Sequence, residues 1–138
     1  MGRTTEKVII KNLFDIEKVS NKLLNDEQIR TTEIEAIVDT GAAYLCLPPD
    51  IIKKLGLQPK NNKSMLTANG RVTRKVFYGA EIIIQGRECQ MQVLENDEQT
   101  PALLGYLVLE ALDFVVDTVQ QKVIPNPSHN GEWLIDMY

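Results

Sequence analysis

Apolar and polar residues alternate with a period of two along much of the chain, the pattern of strands with one buried face. Residues 30–38 (RTTEIEAIV) place Ile34, Ala36 and Val38 on one side and Glu33, Glu35 and Ile37 on the other. Residues 87–94 repeat the pattern with Cys89, Met91 and Val93, and residues 8–10, 44–47, 81–84 and 101–104 read as shorter apolar strands. Val115-Val116 and residues 119–124 read as a last strand pair or one bent strand. Helical spacing is sparse. Asp15 is expected to cap a helix carrying Ile16, Val19, Leu23 and Leu24. Pro48-Pro49-Asp50 opens a short helix over 51–55, stopped by Gly56, and residues 106–112 (YLVLEAL) form another. Two glycine turns organise the middle. Asn69-Gly70, between residues 65–68 and 71–76, predicts a hairpin with a type I′ turn, and Gln85-Gly86 predicts a second turn.

Composition narrows the field of functions. The chain has 138 residues, the size of one domain. Fifteen basic against nineteen acidic residues give a net charge of −4, which argues against a general nucleic-acid binder. No apolar run approaches the roughly 20 residues of a membrane span. Residues 1–11 carry no apolar signal core, so the sequence reading places the protein in the cytoplasm. His129 stands alone, which rules out a histidine-rich metal site within one chain, and its Pro/Asn-rich surroundings read as a solvated loop. Cys46 and Cys89 read as free buried thiols.

The informative feature is Ala36-Ile-Val-Asp39-Thr40-Gly41-Ala42-Ala43. An acidic residue stands at the mouth of a strand, followed by a hydroxyl and a glycine, and a second apolar strand follows. Some 65 residues on, Leu103-Leu104-Gly105 ends another strand just before a helix. Two buried strands that each end in a glycine turn can cross and support one loop from beneath.

These pieces, with Leu45-Cys-Leu-Pro48, Leu55-Gly-Leu57 and the Asn69-Gly70 hairpin, occur in one order over residues 8–127. In that arrangement the chain resembles a retroviral-type, retropepsin-like aspartic protease in its stand-alone, single-domain form. The resemblance implies an all-β fold: a closed retropepsin-like barrel protomer with two or three short helices and a β-hairpin flap. It implies a homodimer acting on an extended peptide or protein substrate, with no cofactor, metal, nucleic acid or membrane partner. Hydrolysis without metal or covalent nucleophile needs a water activated by a base, and an acid to protonate the carbonyl and amine. Two carboxyl groups sharing one proton do both, a behaviour for which aspartic proteases are the standing example. One Asp-Thr-Gly in 138 residues then requires Asp39 from each of two subunits to meet at a two-fold axis.

The implied roles follow residue by residue. Asp39 is the acid/base carboxylate, Thr40 bonds to the partner's loop, and Gly41 permits close backbone approach. Ala42, Ala43, Ala68, Asn69, Gly70, Leu104 and Gly105 form the substrate-binding set, with the hairpin at Asn69-Gly70 closing over the peptide. Two departures from the family pattern stand out. Ala43 and Tyr106 occupy positions where retroviral enzymes usually carry an acidic residue and its arginine partner. Ala42 lacks the hydroxyl that many pepsin-like enzymes place beside the dyad, so a mildly acidic pH optimum is expected. Asp117-Thr118, followed by β-branched Val119, reads as a structural turn. The apolar tail, residues 128–138, is expected at the dimer interface, and truncation at Pro127 is expected to leave a monomer. The rival reading is a non-catalytic dimeric peptide-binding or assembly module of the same fold; a third is a scaffold β-domain holding Asp-Thr-Gly by chance.

Overall fold

A computed structural model describes residues 3–135. Strand β1 (Thr5–Asn12) runs antiparallel to β2 (Thr31–Val38), with Val8 opposite Ile34 and Ile10 opposite Thr32. Further strands are β3 (Leu45–Leu47), β4 (Gln58–Thr67), β5 (Gly70–Ile84), β6 (Arg87–Glu95) and β7 (Leu103–Leu104). The sheet order is β1-β2-β7-β3-β6-β5-β4, and β1 also pairs with β5. That extra pairing, with Ile9 opposite Ile83, closes a ring from which β4 hangs outside. Closure removes sheet edges that would otherwise invite aggregation. The barrel is filled by β-branched and Leu side chains from alternate strand positions. Ile10, Leu45, Leu47, Ile82, Val93 and Leu104 are fully buried.

Three short helices cover the ring: α1 (Leu13–Ser20), α2 (Pro49–Leu55) and α3 (Tyr106–Ala111). The β8 (Phe114–Asp117) and β9 (Lys122–Pro125) hairpin resolves the last segment as a strand pair. Asp117 Oδ1 accepts the Val119 and Gln120 N–H groups, the structural turn expected of Asp117-Thr118.

The first helix departs from the sequence reading. Its cap is Asn12, whose Oδ1 accepts the Asp15 N–H at 3.0 Å, and whose Nδ2 donates to the Leu55 carbonyl at 2.8 Å. The helix stops at Ser20 and the chain turns through Lys22 at φ 62°, leaving Leu23 exposed. Asp15 is buried instead, and its carboxylate accepts from Arg30 Nε at 2.8 Å, Nη2 at 3.0 Å and the Arg30 backbone N–H at 3.0 Å. Gly56, left-handed at φ 64°, ends α2 as expected; a Cβ there would also strike the Arg30 guanidinium.

The Arg30 side-chain hydrogen bonds, more than any other effect, hold the Asp15 carboxyl below the usual carboxylate range. A carboxyl depressed in the folded state stabilises above its unfolded pKa, about 3.9, and ceases to do so as pH falls through the folded value. Asp15→Asn is therefore expected to lose about 1–2 kcal/mol at pH 7, the exposed half of the guanidinium screening part of the pair. Urea titrations of both proteins should converge as the pH drops below about 4. A gap that is unchanged at pH 2 would refute this.

The turn at Asn69-Gly70 is not the type I′ turn expected. Thr67 pairs with Gly70, so Ala68 and Asn69 form the tip and only Gly70 has positive φ, at 112°. A type I′ turn needs positive φ at both central residues; Gln85 and Gly86 supply it instead, at 50° and 82°.

Candidate active site

The strand ends converge as the glycine turns suggested. β2 runs parallel to β7, Val38 opposite Leu104, and β3 is antiparallel to β7 through Cys46 and Leu103. The Asp39 N–H donates to the Leu104 carbonyl at 3.0 Å, and the Ala42 N–H donates back to the Asp39 carbonyl at 3.0 Å. The first amides of α3 have no partner within the helix. Those of Tyr106 and Leu107 donate to the carbonyls of Ala42 and Ala43, at 2.8 and 3.0 Å. The loop carrying Asp39 is thus fastened from below by main-chain bonds and needs no side chain to hold its shape.

Gly105 is the point of closest approach. A Cβ on it would lie 2.5 Å from the Ala43 carbonyl carbon and 2.6 Å from its oxygen, and would strike the Tyr44 carbonyl as well. Gly41 contributes differently: its N–H donates to Asp39 Oδ1 at 2.9 Å. Among the described residues this is the carboxylate's one hydrogen bond, and Ala42 adds none, as its missing hydroxyl implied.

A groove of about 560 Å³ opens above this loop. Asp39, Gly41, Ala42 and Ala43 line its floor, and Ala68 with Met65, Leu66 and Thr67 comes from the β4–β5 hairpin above. Thr40 lies exposed beside the floor without a bonding partner among the described residues. Asn69 and Gly70 sit exposed at the hairpin tip, outside the groove wall. Leu104 and Gly105 lie beneath the site, buried, where they support the loop rather than face the groove. The sequence reading had no place for Tyr44, Cys46, Val72, Arg74, Leu94 or Leu103, which form much of the wall. The signal available for the hairpin members was parity, since Met65, Val72 and Arg74 all fall on its inward face.

Other nucleophiles are poorly placed. Burial, then the charge of Asp39, pushes the Cys46 thiol up to about 11, and burial with Glu81 and Glu88 pushes Cys89 up to about 11. Neither forms much thiolate at neutral pH. His129 is not the solvated loop residue expected. It ends a short 3₁₀ turn, with Nδ1 2.6 Å from Asp113 Oδ2, and does not line the groove. The same carboxylate takes the Leu134 N–H at 3.1 Å, and the Trp133 indole donates to the Ala111 carbonyl at 3.1 Å. The described part of the tail is thus tied to its own chain; residues 136–138 lie outside the described range. No group of three His, Cys, Asp or Glu side chains among the described residues is arranged to hold a metal ion.

Comparison with known proteins identifies the family and the fold. Residues 26–111 match the family described as "gag-polyprotein putative aspartyl protease". With more than half its length matched, the chain belongs to that retropepsin-like aspartic protease family. Among solved structures, EIAV protease complexed with the inhibitor HBY-793 is similar in fold, with a TM-score of 0.56 at 20% identity. The superposition covers 79% of this chain and 86% of that one. No curated protein sequence matches.

Proposed function

We propose that the protein is an aspartic endopeptidase that works as a homodimer, with one Asp39 from each subunit. The observation that carries this is an acidic side chain, on a loop fastened by main-chain bonds, at the floor of an open groove with the exposed tip of the β4–β5 hairpin above it. In the dimer, one ionised Asp39 takes a proton from a water lying between the two carboxyls. That water attacks the peptide carbonyl carbon while the second, protonated Asp39 donates to the carbonyl oxygen. The proton taken from water then passes to the amine nitrogen as the C–N bond breaks, and the carbonyl oxygen returns its proton to the second Asp39, restoring the pair with one shared proton. Thr40, exposed and without a bonding partner among the described residues, would bond across the two-fold axis, and the Gly41 N–H would keep Asp39 oriented. Ala42, Ala43 and Ala68 would flank the peptide, the tip at Asn69-Gly70 would close on it, and Leu104 with Gly105 would brace the floor. Substrate would lie extended between hairpin and floor, as an added strand. Two free thiols suit the reducing cytoplasm in which we place the protein.

The test is a diverse peptide library incubated at pH 4 to 7 with and without a statine-type transition-state mimic, cleavage being read by mass spectrometry. Cleavage blocked by the mimic is the expected result; retention of peptides without cleavage would instead establish a binding module. Because Ala42 brings no hydroxyl to the site, the rate is expected to peak at mildly acidic pH. A maximum below about pH 3, the range of strongly depressed carboxylates, would contradict that.

We place the tail from residue 128 at the same interface, because Trp133, Leu134 and Ile135 remain 37%, 46% and 70% exposed in the protomer. Ile135→Asp is expected to weaken self-association about tenfold, the scale of losing one buried apolar anchor. Sedimentation at several concentrations reads it, and an unchanged dimer would remove the tail from the interface.

A further inference from the structure

The inward face of the β4–β5 hairpin carries two cations beside a groove wall that is otherwise largely apolar. Lys63 and Arg74 are direct cross-strand partners, and such partners share a face. Their neighbours on that face are Met65, Val72 and Val76, while Ser64, Thr73 and Lys75 point outward. Like charges directly opposite one another repel, so the pair calls for a counter-ion.

The described residues supply none. No carboxylate among them lies within 4.0 Å of either cation. Lys63 leans on neutral groups: the Gln92 Oε1 at 3.2 Å, the Tyr44 hydroxyl at 3.5 Å and the Tyr44 ring, 5.3 Å to its centroid. Among the described residues Arg74 makes one hydrogen bond, from Nη1 to the adjacent Thr73 carbonyl at 3.4 Å. A guanidinium offers five donors in a planar fork suited to a carboxylate, and the protein uses little of it. Arg74 faces the groove, where its charge opposes the upward push on the Cys46 thiol in the opposite wall. The acidic side chain it influences at the rim, Asp97, is already occupied by Thr100 Oγ1 at 2.7 Å and the Gln99 N–H at 3.0 Å.

We propose that Arg74, reinforced by Lys63, makes this groove select peptides bearing an Asp or Glu side chain at one fixed position near the cleaved bond. The proposal rests on the protease reading and names its substrate class. An extended peptide presents alternate side chains to one wall. One acidic residue reaches Arg74 through charge-assisted, bidentate hydrogen bonds, while apolar residues meet Cys46, Leu94 and Leu103. The preference is local: the chain as a whole, at −4, repels acidic peptides at long range.

The test compares matched peptides, Glu against Gln and Asp against Asn, scanned through each position around the scissile bond. The readout is the ratio of kcat/KM values within one protein, so differences in active fraction cancel. For the wild type, the acidic peptide is expected to win by about tenfold or more at one position. Arg74→Gln should bring that ratio close to one. Arg74→Glu should invert it and favour Lys at the same position. A wild-type ratio near one at every position, or a ratio unmoved by both variants, overturns the inference and leaves the protease standing. Absence of cleavage of any peptide by the wild type overturns both.

Discussion

An Asp39→Asn chain is expected to lose peptide hydrolysis by about 10³-fold or more while retaining its fold and self-association. The amide has the carboxylate's shape, and its oxygen can still accept the Gly41 N–H now held at 2.9 Å. The loop itself is fixed by main-chain bonds to Leu104 and α3, which the substitution does not touch. What disappears is the ability to share a proton. Mixing makes the test sharper. When variant and wild-type subunits exchange freely, only dimers with two carboxylates turn over, so the rate falls with the square of the wild-type fraction. An equal mixture should retain about a quarter of the undiluted rate. A linear decline would mean that each chain works alone, and the shared site would be abandoned.

Gly105→Ala should be the most damaging single methyl group in the protein. The added carbon meets main-chain atoms of Ala43 and Tyr44, not the ends of flexible side chains. Those atoms cannot retreat, because Ala42 and Ala43 are held by the first amides of α3. The expected loss is about 3 kcal/mol, the upper end for overpacking, with displacement of the Asp39 loop where the fold survives. Gly86→Ala is the proper comparison. Unlike Gly105, at φ −87°, it stands at positive φ, and its Cβ would meet nothing within 4 Å. Only the backbone strain remains there, about 1 kcal/mol. Urea midpoints measured side by side would decide; equal losses would show that the contact under the loop is not the governing one.

Much of the architecture was legible because alternation is a local signal. The β2 face of Ile34, Ala36 and Val38 and the stop at Gly56 follow from short stretches of chain; the two glycine-ended strands do support one loop, but as parallel neighbours and not as crossed strands. The misreadings share a cause: each depended on a partner distant in sequence or on a side chain competing with the backbone. Asp15 looked like a cap because nothing nearby announced Arg30, fifteen residues on. His129 looked solvated because Asp113 lies across the β8–β9 hairpin. At the hairpin tip, Thr67 Oγ1 accepts the Asn69 N–H at 3.2 Å and donates to the Gly70 carbonyl at 2.8 Å. That clamp holds the loop one residue earlier than the Asn-Gly signal alone implies. For the site, the sequence located the loop and its support but could not separate residues that touch the groove from those beneath it. Leu104 and Ala42 look alike in a list of apolar positions, and only packing tells them apart.

Strand β5 is continuous for fifteen residues but is not one mechanical body. Between Phe77 and Ala80 its register against β6 slips, and Gly79, at φ 92°, lies too close to the Phe14 ring to carry a Cβ. Beyond that point the strand is a barrel stave, gripped by β1 on one edge and β6 on the other. Before it, residues 70–76 are mostly exposed, with β4 as their chief support. The joint behaves as the root of a cantilever, with α1 as the wedge that seats it. Whatever loosens Phe14 would therefore change the swing of an arm whose far end is built from entirely different residues.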